Sequence, residues 1–400
     1  MAEQTHGPQA RRSFLVVAAA SFLALGLAGC QVVPKPRPLP EPEPQRPEPA
    51  RPEPEAPDPR LPSDETRNRV AVLVPLTGAN AGVGQSIANA ANLALLDSGG
   101  ERIRITVYDT AKSGAAAAAN EALADGNGLF LGPLLADDAR AVAPIALRAR
   151  VPVISFSNDV SIAGSGVYVM GFTPSQSIGR VVDHARARGA ERFAALIPEG
   201  TYGTRASQAM AQAVLRAGGR LVGSQSYDRG PGALRTAIGR LNGSGAYDAV
   251  LIADGGRIAA LAAPLIRSGS SPAARLLGTE LWATESDLGR TPALRGAYYA
   301  SVGDAMFNQL RSRYRARYGA NPYRLASLGY DAVLLAVRIG KDWRVGRAFP
   351  EGMLRDQGGF AGVDGAFRFG RDGVAERSLE VLEVTAAGTA VVSAAPRGFE

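Results

Sequence analysis

Cysteine occurs once in this 400-residue chain and histidine twice. With a single thiol no intrachain disulfide can form, so whatever folds must rest on its core. The shortage of histidine removes most nucleophilic and metal chemistry. His6 lies in the amino-terminal segment, and His184 sits in a helical pattern beside Arg186 and Arg188. A Ser-His-Asp arrangement would have to use His184, yet no serine stands in a strand-to-helix elbow. Zinc sites need clustered histidine, cysteine or carboxylate. The adjacent acids Asp137 and Asp138 open a helical pattern, where they favour its positive end. No metal, no cofactor and no catalytic residue is therefore expected. A phosphate-binding GK[ST] sequence is missing too. GVGQSI after the first strand imitates half of a dinucleotide fingerprint, but Pro75 and the gap before Gly82 spoil the tight turn. Charge of one sign is also sparse. The net +7 is spread over a chain with 20% charged residues, which leaves no nucleic-acid footprint. One cluster, Arg311, Arg313, Arg315 and Arg317, shares its segment with Phe307, Leu310, Tyr314 and Tyr318. Those four form a helical stripe that packs inward and leaves the arginines on the other sides.

What is present begins with an address. Arg11 and Arg12 precede an apolar run from Phe14 to Leu27, too short to span a bilayer comfortably, and LAGC closes it at Cys30. This resembles a bacterial lipoprotein signal covering residues 1–29, which implies lipidation of Cys30. RRSFL also resembles a twin-arginine export signal. Gln31 follows the cysteine where inner-membrane lipoproteins of enteric bacteria carry aspartate, so the analogy favours a periplasmic protein anchored in the outer membrane. Residues 34–62 are rich in proline with alternating glutamate and arginine. Proline locks φ and removes donors, so this linker (30–67 with the cysteine) is an extended spacer, up to roughly 90 Å long at about 3.1 Å per residue. Its alternative use is as a ligand for a groove that reads proline helices.

From Arg69 onward, strands and helices alternate. The apolar run Val70 to Val74 suits a strand buried on both faces of a parallel sheet. Ile87, Ala91, Leu95 and Leu96 then share one helical face. The unit repeats through a first series ending near Phe172 and a second beginning at TPSQSIGR, and the tail turns at FGRDG as a hairpin. Two lobes are expected, one from 68–172 plus 300–345, the other from 173–299 plus 346–395. The cleft between them is the default site.

The order of motifs resembles the type I periplasmic binding protein superfamily, in its leucine/isoleucine/valine-binding branch. The resemblance rests on VPLTG at Thr77, LGPLL at Leu131–Leu135, VPVISFS at Val151–Ser157, EGTYG at Tyr202, GYDAV at Gly329–Val333 and the glycine-phenylalanine tail from Gly362 to Gly373. It implies an α/β fold of two lobes, each a parallel sheet flanked by helices, joined by three hinge crossings. It implies ligand contacts at Thr77, Ala136, Ser157, Asp159, Tyr202 and Glu280, with Tyr202 covering the ligand and Glu280 pairing its ammonium. The chain departs from the pattern at Leu135 and Ala136, where the family has a hydroxyl. It departs again at Asp159, where the family has a threonine facing the ligand carboxylate. Two carboxylates facing each other in a closed cleft repel strongly without a counter-charge. A second resemblance, to the carboxyl-terminal domain of lipoprotein activators of penicillin-binding proteins, fits these departures and the anchor. It implies a non-enzymatic protein that regulates peptidoglycan synthesis by touching a synthase. The alternative is a lipid-tethered receptor that delivers a small amino-acid-like ligand to the permease of an ABC importer.

Overall fold

β1 (Asn68–Val74) opens the fold with Val70, Ala71, Val72, Leu73 and Val74 fully buried. Such burial requires cover on both faces of the sheet, and the following helices supply it. In this computed structural model the described residues are 66–400, apart from Pro231, Ser286, Arg397 and Glu400, and all belong to one unit. The signal segment, Cys30 and the proline-rich linker lie outside the described residues.

After β1 come α1 (Ala81–Ser98), β2 (Ile103–Asp109), α2 (Ala115–Ala124), β3 (Leu129–Leu131), α3 (Ala136–Ala149), β4 (Val153–Ser155) and β5 (Val167–Val169). These strands pair in parallel in the order β2-β1-β3-β4-β5 and form the first lobe's sheet. A second series follows with α4 (Pro174–Ala187), β6 (Arg192–Pro198), α5 (Thr201–Arg216), β7 (Arg220–Tyr227), α6 (Ala233–Asn242), β8 (Ala249–Ile252), α7 (Gly256–Arg267), β9 (Arg275–Gly278) and β10 (Tyr298–Ser301). The chain then returns to the first lobe through α8 (Ala305–Tyr318) and α9 (Ala326–Gly340). β11 (Phe360–Gly362), β12 (Gly365–Phe369) and β13 (Ala375–Arg377) form a small antiparallel sheet, with FGRDG as the turn between the last two. β14 (Glu380–Thr385) and β15 (Gly388–Ser393) complete the second sheet, ordered β15-β14-β10-β9-β8-β6-β7. The chain thus passes between lobes near Phe172, Val302 and Ser378, which makes three crossings.

The lobe boundaries differ from those drawn on the sequence. β10 extends the second sheet by pairing with β9, and the segment 349–375 packs on the first lobe's core. Phe360, Phe367 and Phe369 are buried there, and Phe369 meets Tyr168 edge-on at 5.2 Å. Three phenylalanines on a short hairpin need an apolar partner, and the first lobe provides it. The stripe on α8 packs as its spacing predicts, with Phe307, Leu310 and Tyr314 buried. His184 is buried edge-on against Tyr298 at 4.9 Å. Burial first, then Arg188, Arg180 and Arg275, push its imidazole down to about 4, so it is neutral at ordinary pH.

The first βα unit of each lobe is built on one close approach. β1 ends before Pro75 and β6 ends at Pro198, and a glycine in the next helix's first turn lies over the proline carbonyl. A Cβ on Gly84 would stand 1.8 Å from the Pro75 oxygen, and one on Gly203 would stand 1.6 Å from that of Pro198. Both helices therefore begin hard against their strands, which brings the loops at the strand ends to the lobe surface that faces the cleft.

Candidate functional site

Open α/β sheets bind ligands beyond the carboxyl ends of their strands, where the strand order reverses. In the first lobe that point lies between β1 and β3, and in the second between β6 and β8. A cavity of about 420 Å³ occupies the space between them. From the first lobe it takes Val83, Leu134, Leu135, Phe156 and Arg324, and from the second Ser177, Glu280 and Leu281. The crossings themselves form its floor through Phe172, Thr173, Val302, Arg377 and Leu379. Its size suits a small organic molecule, and its mixture of apolar walls with a few polar groups is that of a ligand pocket.

Glu280 is the dominant polar group of the second lobe. It follows β9, and its carboxylate accepts hydrogen bonds from Ser177 Oγ and from Tyr202 Oη (3.0 Å). Tyr202 Oη also lies 3.0 Å from Thr279 Oγ1. Burial pushes the Glu280 carboxyl up, and the hydrogen bonds from Ser177, its own amide and Tyr202 act against that shift. Burial and the nearby Glu280 charge likewise raise the Tyr202 phenol. Trp282 closes the loop behind them, with its indole N–H donating to the Asp254 carbonyl at 3.0 Å.

The six positions singled out in the sequence separate into three groups. Glu280 lines the cavity and Tyr202 holds it from behind. Thr77 and Ala136 lie outside the lining; Thr77 Oγ1 donates to Asp109 Oδ2 (2.9 Å) in an exposed turn and Ala136 opens α3. Ser157 and Asp159 form a third group beside the cleft. Ser157 Oγ accepts the Asp159 amide at 3.1 Å, and Asp159 Oδ2 pairs with Arg140 and with Arg205, each at 2.6 Å. Arg140 belongs to α3 and Arg205 to α5, so this buried carboxylate ties the lobes together across the cleft. The counter-charge required by two acids in one cleft is present, since Asp159 pairs with two arginines. Burial alone would raise the Asp159 carboxyl, but Ser161, Arg205 and Arg140 outweigh it and hold it below the usual range. A depressed carboxyl contributes stability above its unfolded value, about 3.9, and loses it as pH falls through the folded one. The latch therefore holds at neutral pH and releases only in acid. Asp159→Asn is expected to enlarge the radius of gyration in solution scattering at pH 7, and a profile unchanged from wild type would count against a latch.

Arg324 and Arg377 were not singled out in the sequence. Each is an isolated arginine, in PYRL and AER, and its place depends on the hairpin docking described above. Asp331 of α9 accepts the amides of Val363 (2.7 Å) and Asp364 (3.4 Å), which fixes the β11–β12 turn and seats Asp364 beside Arg324 at 2.6 Å. Among the described residues no group of histidine, cysteine and acids could hold a metal ion, and no helix is long and apolar enough to cross a membrane.

Comparison with known proteins accords with this geometry. The family model described as "Periplasmic binding protein" matches residues 68–389. A Rhodospirillum rubrum structure assigned to a branched-chain amino acid ABC transporter superposes with a TM-score of 0.72 at 23% identity, over 82% of this chain and 100% of that one. The leucine-binding protein LivK of Thermotoga maritima gives 0.58 at 20% identity, over 82% and 98%. Full-length LpoA of Haemophilus influenzae gives 0.63 at 17% identity, over 83% of this chain and 60% of that one. These likenesses concern the fold. An uncharacterized protein of Rickettsia prowazekii is 25% identical over 170 residues, 42% of this chain, and the match spans about half of that relative, 46%.

Proposed function

We propose, from the premise that the chain belongs to the periplasmic binding protein family, that it is a non-enzymatic periplasmic receptor closing its lobes on a small organic molecule that bears an amine. The observation that carries this reading is Glu280, a partly buried carboxylate on the wall of a cavity shared by both lobes, whose ionised form burial disfavours. A buried carboxylate without a cation is costly, and an ammonium group is the partner that restores it. Tyr202 and Ser177 orient the two oxygens so that the remaining lone pairs are offered to the ligand. In this reading Asp159 acts in lobe closure through Arg205. Lipidation at Cys30 and the proline-rich spacer hold the domain away from a membrane, the outer one by analogy, and a permease of an amino-acid ABC importer would receive the ligand. A thermal-shift panel of amino acids, amides and simple amines tests the proposal. The expected result is stabilisation by a subset carrying an amine, about 2.7 kcal/mol at a hundredfold excess over Kd. Stabilisation by none of them would remove it.

A second reading, as an activator of a peptidoglycan synthase, draws on the tether and on the likeness of fold to LpoA. It predicts recovery of a synthase by cross-linking in cells whether or not Glu280 is intact. Recovery that depends on Glu280, or no recovery, would tell against it.

A further inference from the structure

Two guanidinium groups at the floor of the cavity have more donors than the protein can use. Arg377 is 7% exposed, and its Nη2 donates to the Met170 carbonyl at 2.8 Å. Its Nε and Nη1 are buried without a partner, although the side chain lines the cavity between the rings of Phe172 (4.9 Å) and Phe367 (5.2 Å). Arg324 also lines the cavity and lies over Phe307 at 4.1 Å. Its Nη1 donates to Asp364 and Ser327, while its Nη2 is buried and unpartnered. Acceptors nearby are few. Asp331 spends its oxygens on the Val363 and Asp364 amides, and Asp304 approaches Arg324 Nε only at 3.9 Å. Asp364 Oδ2 is buried without a donor and could take a single N–H. Three unpartnered nitrogens, which carry five N–H bonds, against the unpartnered Asp364 Oδ2 and Ser378 Oγ leave a surplus of donors, and buried donors without acceptors are rare because each carries its full desolvation cost.

The charges point the same way. Burial, and then the Asp364 charge, push the Asp331 carboxyl well above its usual range, which disfavours its ionised form as a counter-charge to the arginines. A planar anion with two oxygens satisfies a guanidinium fork in both geometry and charge. Leu134, Leu135, Phe156 and Leu379 supply apolar walls beside it. A phosphate ester would bring a second negative charge into a cavity that already holds Glu280.

We infer that Arg324 and Arg377 form an anion subsite that holds the carboxylate of a small organic acid with an apolar body. This rests on the receptor reading above and adds to it: Glu280 serves the amine end, the two arginines the acid end. The first lobe's usual hydroxyl is replaced by Leu135 and Ala136, and the carboxylate is received at the floor instead of at that loop.

Titration calorimetry with L-leucine, 4-methylpentanoate and L-leucinamide separates the two ends. Leucine is expected to bind best, 4-methylpentanoate measurably, and leucinamide roughly 10- to 100-fold more weakly than leucine, the range for a hydrogen-bonded charge. Arg377→Gln should weaken both carboxylates by a similar factor. Because Arg377 is buried and its loss could unfold the domain, Arg324→Gln, on the more accessible of the two arginines, is measured beside it, with circular dichroism as the control for folding. Leucinamide binding as tightly as leucine, with Arg324→Gln indifferent, overturns the anion subsite and leaves the receptor intact. Binding of leucine that is weakened by Arg324→Gln but indifferent to Glu280→Gln supports the subsite and removes the amine reading. No binding by any of the three overturns both.

Discussion

Replacing Gly203 by alanine is expected to destabilise the domain by about 3 kcal/mol or more and to lower its melting temperature by roughly 5–10 °C. The new methyl would stand 1.6 Å from the Pro198 oxygen and 2.8 Å from its carbonyl carbon. Neither atom can rotate away, since both belong to the end of a strand flanked by β7 and β8. Relief requires α5 to lift from the sheet, and α5 buries Ala206, Ala209, Met210, Ala213 and Val214 against the second lobe's core. Gly84 over Pro75 makes the same case in the first lobe. Gly239→Ala is the control. Gly239 is exposed in α6 with nothing within 4 Å of the added carbon, so alanine should be neutral or stabilise by up to about 1 kcal/mol. Calorimetric melting of the three variants decides the matter, and a Gly203→Ala protein that melts with wild type would show that the helix can move at little cost.

Glu280→Gln carries the second large effect, and its sign differs between the empty and the occupied protein. In the empty protein the substitution removes a carboxyl whose charge is disfavoured by burial, while keeping groups that can meet Ser177 and Tyr202. Stability should stay level or rise. In the occupied protein it removes the partner of the ligand amine, so affinity should drop by roughly 30- to 1,000-fold, the range for truncating one member of a buried charge pair. The pH dependence follows from the raised carboxyl. In the empty protein Glu280 contributes stability that is fully present below its unfolded value, about 4.3, and is lost as pH rises through the folded one. An amine favours the ionised form, so binding should tighten with rising pH over that window and release a proton. Titrations in two buffers of different ionisation enthalpy measure that proton. A Glu280→Gln protein that binds amines as wild type does, with the same proton count, would contradict the assignment.

Much of the scaffold could be read from residues alone. The apolar run Val70–Val74 and the Phe307–Tyr318 stripe follow from local pattern, because burial on one or two faces leaves a period in the sequence. Glu280 and Tyr202 came from motif resemblance, and the structure places their side chains within a hydrogen bond of each other. The less legible features depend on contacts between distant segments. The phenylalanine hairpin was drawn with the second lobe because it follows α9 without a local signal of where it docks. Arg324 and Arg377 are illegible for the same reason, since nothing in PYRL or AER announces a neighbour 53 positions away in the chain. A usable signal did exist in GYDAV and GVDG: two acids in otherwise apolar stretches, Asp331 and Asp364, each demand buried partners. Asp159 shows the reverse case, in which a residue matched to a ligand position is occupied by arginines of both lobes.

The three crossings between lobes form the floor of the cavity, so any rotation of one lobe on the other would turn about that floor. A fulcrum travels least, so the rim would widen while Phe172, Val302, Arg377 and Leu379 stayed close to where they are. An occupant would then peel away from the outer walls first and let go of the pivot last. Departure would take two stages, with the slower set by the grip at the hinge.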